Sequence, residues 1–110
     1  MAADYRVYAG DTLQIVVTVL DENGAALALD GCDLTYVLIN RATNQVVLTK
    51  TAASGQISTV GNVATINIAA GDTSALTGYA YHELQITDSD DNVSTLLAGA
   101  VTFDSTRIAP

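Results

Sequence analysis

The chain has 110 residues, the size of one globular domain, and its 49% hydrophobic content excludes a disordered protein. Twelve acidic residues against four lysines and arginines give a net charge of −8, which argues against nucleic acids and anionic membranes as partners. We expect a single domain over residues 1–110, without a signal peptide or membrane span, because no suitable apolar run is present.

Strand patterns alternate with turn signals in the first half of the chain. Arg6–Tyr8 is a short apolar start, and Leu13–Leu20 alternates with period two, which is typical of a half-buried strand. Asp21–Gly24 contains Asn-Gly, a strong turn signal, and ends that strand. Asp33–Asn40 is apolar on both faces, which predicts a central strand, and Val46–Thr51 follows it.

The middle of the chain predicts a hairpin and one helical turn. Ile57–Val60 and Val63–Ile68 flank Gly61-Asn62, which favours a two-residue hairpin, although one strand with a bulge fits the same pattern. Residues 71–76 predict a single helical turn with Asp72 or Thr73 as its N-cap.

The end of the chain predicts a long closing hairpin. Tyr79–Thr87 and Val93–Phe103 are rich in Val, Ile, Thr and aromatic residues, and an Asp- and Asn-rich turn separates them. Strands therefore recur about every ten residues along the chain. This pattern predicts an all-β protein, an antiparallel β-sandwich of seven to eight strands.

The closing turn is also the one candidate metal site. Asp88, Asp90, Asp91 and Asn92 place four oxygen-bearing side chains within five residues, and Ca²⁺ is coordinated by oxygen ligands. The bidentate Glu and the helices of a calcium-binding helix–loop–helix are absent. We therefore interpret the segment as a hairpin turn, keep a weak calcium site as the alternative, and predict no cofactor.

The single histidine and the single cysteine are the candidate catalytic residues. His82 shares a strand face with Ala80, Leu84 and Ile86, so we expect a half-buried structural histidine. Glu83 points to the opposite face and cannot readily pair with it. Cys32 is expected to be a buried free thiol, and a nucleophilic Cys32–His82 pair has no supporting motif. The sequence therefore predicts a protein that is not an enzyme.

The tyrosines are the candidate binding residues. Tyr79 and Tyr81 alternate along one predicted strand, and Tyr79 follows Gly78 at a corner between sheets. In sandwiches a tyrosine at this place often ties the corner through its hydroxyl group. We expect one of the two to have this structural role and the other, if exposed, to anchor an interface.

Several segments resemble the immunoglobulin-like domain of tailed-bacteriophage structural proteins, including the N-terminal domain of baseplate upper proteins. Gly10-Asp11-Thr12 opens an apolar strand as in that family, Asp21–Gly24 closes it, and Leu29-Asp30-Gly31 leads into the next strand with part of the usual order reversed. Gly78–Asp88 and Asn92–Thr95, followed by Gly99, match the family's closing hairpin.

The resemblance implies that the sandwich is immunoglobulin-like and that the chain is a virion building block without an active site. A small accessory protein that decorates the capsid is the first expectation, and a tail, neck or baseplate component is the second. A host-surface or carbohydrate-binding module is a further alternative. The expected partners are other virion proteins, bound in many copies or as a homo-oligomer. The interface candidates are Tyr5, Tyr8, Tyr79, Tyr81, Arg107 and Ile108.

Overall fold

The structure is a computed structural model that describes residues 5–8, 12–21, 23–29, 31–73, 78–88 and 90–104, without the side chains of Tyr8 and Thr73. The described residues form eight β-strands and one helical turn, so the predicted all-β class and strand number are confirmed. The elements are β1 (Tyr5–Tyr8), β2 (Leu13–Thr18), β3 (Asp33–Asn40), β4 (Gln45–Thr51), β5 (Ile57–Val60), β6 (Val63–Ile68), α1 (Ala70–Thr73), β7 (Gly78–Thr87) and β8 (Val93–Asp104).

The strands form two sheets that enclose one core. The five-stranded sheet has the order β1-β8-β7-β3-β4, and the three-stranded sheet has the order β2-β6-β5. β3 lies between β7 and β4, which confirms its prediction as a central strand. The prediction of purely antiparallel sheets is wrong at one place, because β1 pairs with β8 in the parallel direction.

The core consists of the inward side chains of both sheets. In β2, Ile15 and Val17 point inward while Val16 is exposed, as the period-two pattern predicted. Ile66 of β6 and Leu84 of β7 are completely buried in the same cluster. Burying one such aliphatic side chain stabilises the fold by about 1.5–3 kcal/mol, so this alternation is what holds the two layers together.

Two loop predictions are tested by the strand bounds. Val60 pairs with Val63, so Gly61-Asn62 is a two-residue hairpin and the single bulged strand is excluded. Gly61 has a φ of 58°, a conformation that glycine adopts without a steric penalty. β2 ends at Thr18 and not at Leu20, which forms only an isolated bridge with the loop.

The loop after β2 is closed by an aspartate. The Asp21 Oδ1 atom accepts backbone N–H groups from Asn23 at 2.8 Å and from Ala25 at 3.0 Å. The backbone N–H of Asp21 also donates to the carbonyl oxygen of Ala25 at 2.7 Å. Gly24 has a φ of 83°, which lets the chain reverse direction in five residues.

The single helical turn is connected to a sheet edge. The Asp72 carboxylate accepts the Ala69 backbone N–H at 2.9 Å and pairs with the Lys50 ammonium group of β4 at 2.9 Å. The prediction of Asp72 or Thr73 as N-cap is wrong, because the turn begins at Ala70 and Asp72 reaches back from inside it, as the third residue of a capping box does. None of the described helical residues forms a segment long and apolar enough to cross a membrane.

Candidate functional site

The outward face of the five-stranded sheet carries two of the predicted interface tyrosines. Ala80 and His82 of β7 point into the core, so Tyr79 and Tyr81 point outward. The Tyr79 side chain is 72% exposed, whereas Tyr81 is half-buried among its neighbours. Of the two tyrosines, Tyr79 is therefore the one exposed enough to contact a partner, and the corner role expected for one of them stays a prediction.

An apolar row runs across this face at the level of Tyr81. Tyr81 pairs with Ala100 of β8 on one side and with Ile39 of β3 on the other. Ile39 in turn pairs with Val46 of β4, which is 55% exposed. Directly paired residues share a sheet face, so the four side chains form one continuous apolar row, which we call the outer row.

The turn between β3 and β4 places an arginine beside the outer row. The Asn40 side-chain oxygen accepts the backbone N–H of Ala42 at 2.8 Å, and the Asn44 N–H donates to the Asn40 carbonyl oxygen at 2.7 Å. The Arg41 N–H donates to the carbonyl oxygen of Tyr79 at 3.1 Å. The turn is therefore fixed both internally and to β7, and Arg41 is presented on a preorganised loop.

Two shallow grooves meet at Arg41. The larger, of about 760 Å³, is lined by Arg41, Tyr79 and the backbone around Gly78. The second, of about 450 Å³, is lined by Arg41, Tyr81, Ile39 and Asn44. An arginine between two tyrosines at a groove is a common composition for the centre of an interface.

The charge of Arg41 is not compensated within the described part of the chain. Arg6 pairs with Asp104, and Lys50 pairs with Asp72. Of the lysine and arginine side chains that the structure describes, Arg41 alone has no salt bridge. On a chain with a net charge of −8, this guanidinium group can bind a carboxylate of a partner or ligand through two parallel hydrogen bonds.

A scan of protein-family models and a search of curated proteins found no match to this chain.

The remaining interface candidates are placed differently. Tyr5 points inward, where its ring packs edge-on against His82 with the ring centroids 5.3 Å apart, so it supports the core. The side chain of Tyr8 and the residues Arg107 and Ile108 lie outside the described residues. Their proposed interface roles stay predictions.

The histidine has a structural environment. His82 lies on the inward face, as predicted, but it is completely buried and not half-buried. Its Nδ1 atom shares a hydrogen bond of 3.0 Å with the hydroxyl group of Tyr36. Burial raises the pKa of Tyr36, and the nearby Tyr5 adds to this effect, so the Tyr36 hydroxyl stays neutral. The His82 ring is therefore a polar member of the core.

The cysteine is distant from this histidine. Cys32 directly precedes Asp33, which pairs with Thr87, five residues along β7 from His82. Five strand residues span about 17 Å, too far for a nucleophile and its base. The thiol is only partly buried, which corrects the expectation of a buried cysteine.

The predicted calcium loop uses its first aspartate to close a turn. The Asp88 Oδ1 atom accepts backbone N–H groups from Asp90 and Asn92, both at 2.9 Å. These N–H groups, that of Asn92 first, hold the pKa of Asp88 below its usual range. Among the described residues, no group of three or more acidic, histidine or cysteine side chains is arranged to hold a metal ion. The geometry agrees with the hairpin-turn interpretation, and the calcium site stays a prediction.

Sequence reasoning missed Arg41 and the grooves beside it. The local signal was present, since Asn40 and Asn44 are residues that commonly close turns. The proximity of this turn to Tyr79 depends on β3 and β7 being neighbours, which no local pattern reveals.

Proposed function

We propose that this chain is a non-enzymatic structural component of a tailed-bacteriophage virion, with an immunoglobulin-like sandwich fold. Its most specific form is a small accessory protein that decorates the capsid. Two of the motifs behind the resemblance are turns with defined geometry in the structure. The Asp21–Gly24 loop ends β2, and the loop after Asp88 joins β7 to β8.

The observation that carries the proposal is the exposed Tyr79 beside Arg41 and the outer row. Tyrosine and arginine provide most of the binding energy in many protein interfaces, and the outer row adds apolar area next to them. The backbone at both residues is held by β7 and by the Asn40 turn, so little backbone entropy is lost on binding. Repetition of a weak contact over a capsid surface gives durable attachment.

The test is binding of the purified protein to empty capsids and to isolated tails of the same phage, by co-sedimentation. We expect saturable binding to capsids that falls at least tenfold in Tyr79→Ala and Arg41→Ala. The matched control is Val60→Ala, which shortens a side chain that is 79% exposed on the three-stranded sheet. Binding to tails alone would move the proposal to a tail, neck or baseplate component. The absence of binding to both capsids and tails would overturn the virion proposal.

A carbohydrate-binding module is the second candidate, because Tyr79 is exposed beside a groove and sugars stack on aromatic rings. A glycan array separates the two functions. Binding to a defined glycan that is lost in Tyr79→Ala, together with no binding to virion particles, would establish the carbohydrate module. The absence of binding to any glycan on the array would overturn the carbohydrate-binding function.

A further inference from the structure

A second groove lies at the opposite end of β7 from Tyr79. It has a volume of about 330 Å³ and is lined by apolar side chains, among them Leu20, Leu27 and Leu96, and by the carboxylates Asp21 and Asp88. We call it the distal groove. Tyr79 lies near the first residue of β7 and Asp88 follows its last, and ten strand residues span about 30 Å. The distal groove is therefore independent of the site at Tyr79.

The walls of the distal groove are two loops with the same construction. In each, an aspartate accepts two backbone N–H groups, from the residues two and four positions ahead, through its Oδ1 atom. In both loops the residue three positions after the aspartate has a positive φ, 83° at Gly24 and 62° at Asp91. These bonds hold Asp21 and Asp88 in place at the rim. Both carboxylates are therefore fixed without a bound ligand.

The floor and edges of the distal groove are apolar and accessible. Leu20 is 56% exposed and Leu27 is 37% exposed, although both are large aliphatic residues. Leu20 is held by an isolated bridge to Ala26, outside the regular pairing of β2, so it cannot turn into the core. Exposed apolar side chains next to fixed charges are the composition of a docking site.

The charges decide which partner fits. Among the described residues, every charged side chain that lines the distal groove is acidic. The whole chain carries −8, so a second copy of it is repelled, while a basic segment is attracted from a distance. We propose that the distal groove binds a segment of another protein in which an apolar side chain is flanked by lysine or arginine. The apolar side chain contacts Leu20 and Leu27, and the basic residues pair with Asp21 and Asp88.

The experiment selects twelve-residue peptides from a random displayed library on the wild-type protein, with counter-selection on Leu20→Lys. Enriched peptides are synthesised with a fluorophore and their affinities measured by fluorescence anisotropy. The matched control is Val16→Lys, since Val16 is 57% exposed on β2 and the two variants have the same net charge. Circular dichroism melts verify that both variants are folded.

We expect enriched peptides to carry Lys or Arg around an apolar residue. Their affinity should fall at least tenfold in Leu20→Lys and stay within twofold of wild type in Val16→Lys and in Tyr79→Ala. Unchanged affinity in Tyr79→Ala would show that the peptides bind at the distal groove and not at the site proposed around Tyr79. Equal losses in both lysine variants would show an effect of bulk charge and overturn the proposal. Enrichment of acidic or neutral peptides, or no enrichment, would overturn it as well.

Discussion

Tyr36 and His82 form a polar pair inside an otherwise aliphatic core. Both side chains are completely buried and cannot bond to water. Their 3.0 Å hydrogen bond gives the Tyr36 hydroxyl and the His82 Nδ1 atom a partner inside the protein. The His82 ring also packs edge-on against Tyr36 and Tyr5. A buried polar pair of this kind stabilises the fold only while both members are present.

Tyr36→Phe therefore tests the pair. Removing the hydroxyl group leaves the His82 Nδ1 atom without this partner, and we expect a loss of about 1–3 kcal/mol in the free energy of unfolding. Urea denaturation followed by circular dichroism gives the value. The control Tyr81→Phe removes a hydroxyl from the half-buried outer row and should cost less than about 0.5 kcal/mol. Equal losses in the two variants would contradict the argument.

Gly24 and Asp91 occupy the same position in the two aspartate-closed loops, both with positive φ. A side chain with a β-carbon is strained there by about 1–2 kcal/mol, although aspartate tolerates this region better than most residues. We expect Gly24→Ala to lower the thermal midpoint. Asp91→Gly should leave it unchanged or raise it, because the strain at Asp91 is removed. Differential scanning calorimetry compares the two, and a clear loss of stability in Asp91→Gly would contradict the equivalence of the loops.

β4 is an edge strand of the five-stranded sheet, and Lys50 points inward from it. An inward charge on an edge strand opposes pairing with another sheet, since a second strand would have to bury it. Asp72 of the helical turn neutralises this charge at 2.9 Å. The ion pair connects the edge of one sheet to the segment that leads from β6 to β7.

The ion pair predicts a pH dependence of stability. The Lys50 hydrogen bond, followed by the Ala69 N–H, lowers the pKa of Asp72 below the usual aspartate value of 3.8. The Asp72 carboxyl group therefore loses its proton more readily in the folded state than in the unfolded state. The stabilisation is complete above pH 3.8 and is lost as the pH falls through the lower folded-state pKa.

Asp72→Asn should accordingly lower the thermal midpoint at pH 6 and have a smaller effect near pH 2.5. The expected loss at pH 6 is about 1–2 kcal/mol, the range for a charge-assisted hydrogen bond that is partly exposed. Asp104→Asn serves as a control, because its partner Arg6 is exposed and the pair should contribute less. A loss for Asp72→Asn that does not change between the two pH values would contradict the assigned cause.

Local patterns predicted the individual strands well. The bounds of β3, β5 and β6 follow from the sequence because alternation and the Gly61-Asn62 turn act over a few residues. The parallel pairing of β1, by contrast, depends on which edge of which sheet a four-residue strand joins. The pattern of Arg6–Tyr8 contains no information about that choice.

The candidate site was predicted only in part for the same reason. The outward direction of Tyr79 and Tyr81 follows from alternation along β7. The contacts of Arg41 with Tyr79, of Ile39 with Tyr81 in the outer row and of Tyr36 with His82 join residues 38 to 46 positions apart in sequence, which local reasoning does not include. The distal groove likewise requires the loops after β2 and β7 to meet at one end of the molecule.

The molecule as a whole is elongated, with principal extents of 45 × 23 × 23 Å. The site at Tyr79 and the distal groove lie at opposite ends of β7. The first contains Arg41, which has no salt bridge among the described residues, and the second contains two fixed carboxylates. The two proposals together imply contact with two different partners, one at each end.

The parallel pairing of β1 with β8 also determines how the protein resists mechanical force. Tyr5 lies beside Val101 and Tyr8 beside Asp104, so pulling on residues 5 and 104 in opposite directions slides the two strands along each other. All the hydrogen bonds of the pair then share the load and must break together. Pulling on residues 78 and 103, which are paired in the antiparallel β7–β8 ladder, breaks its bonds one at a time.

Single-molecule pulling through these two pairs of attachment points should therefore give a higher rupture force for residues 5 and 104. Similar rupture forces for the two pairs of attachment points would contradict this account. Under mechanical load, the direction of the force on the first and last described strands then matters as much as the equilibrium stability of the protein.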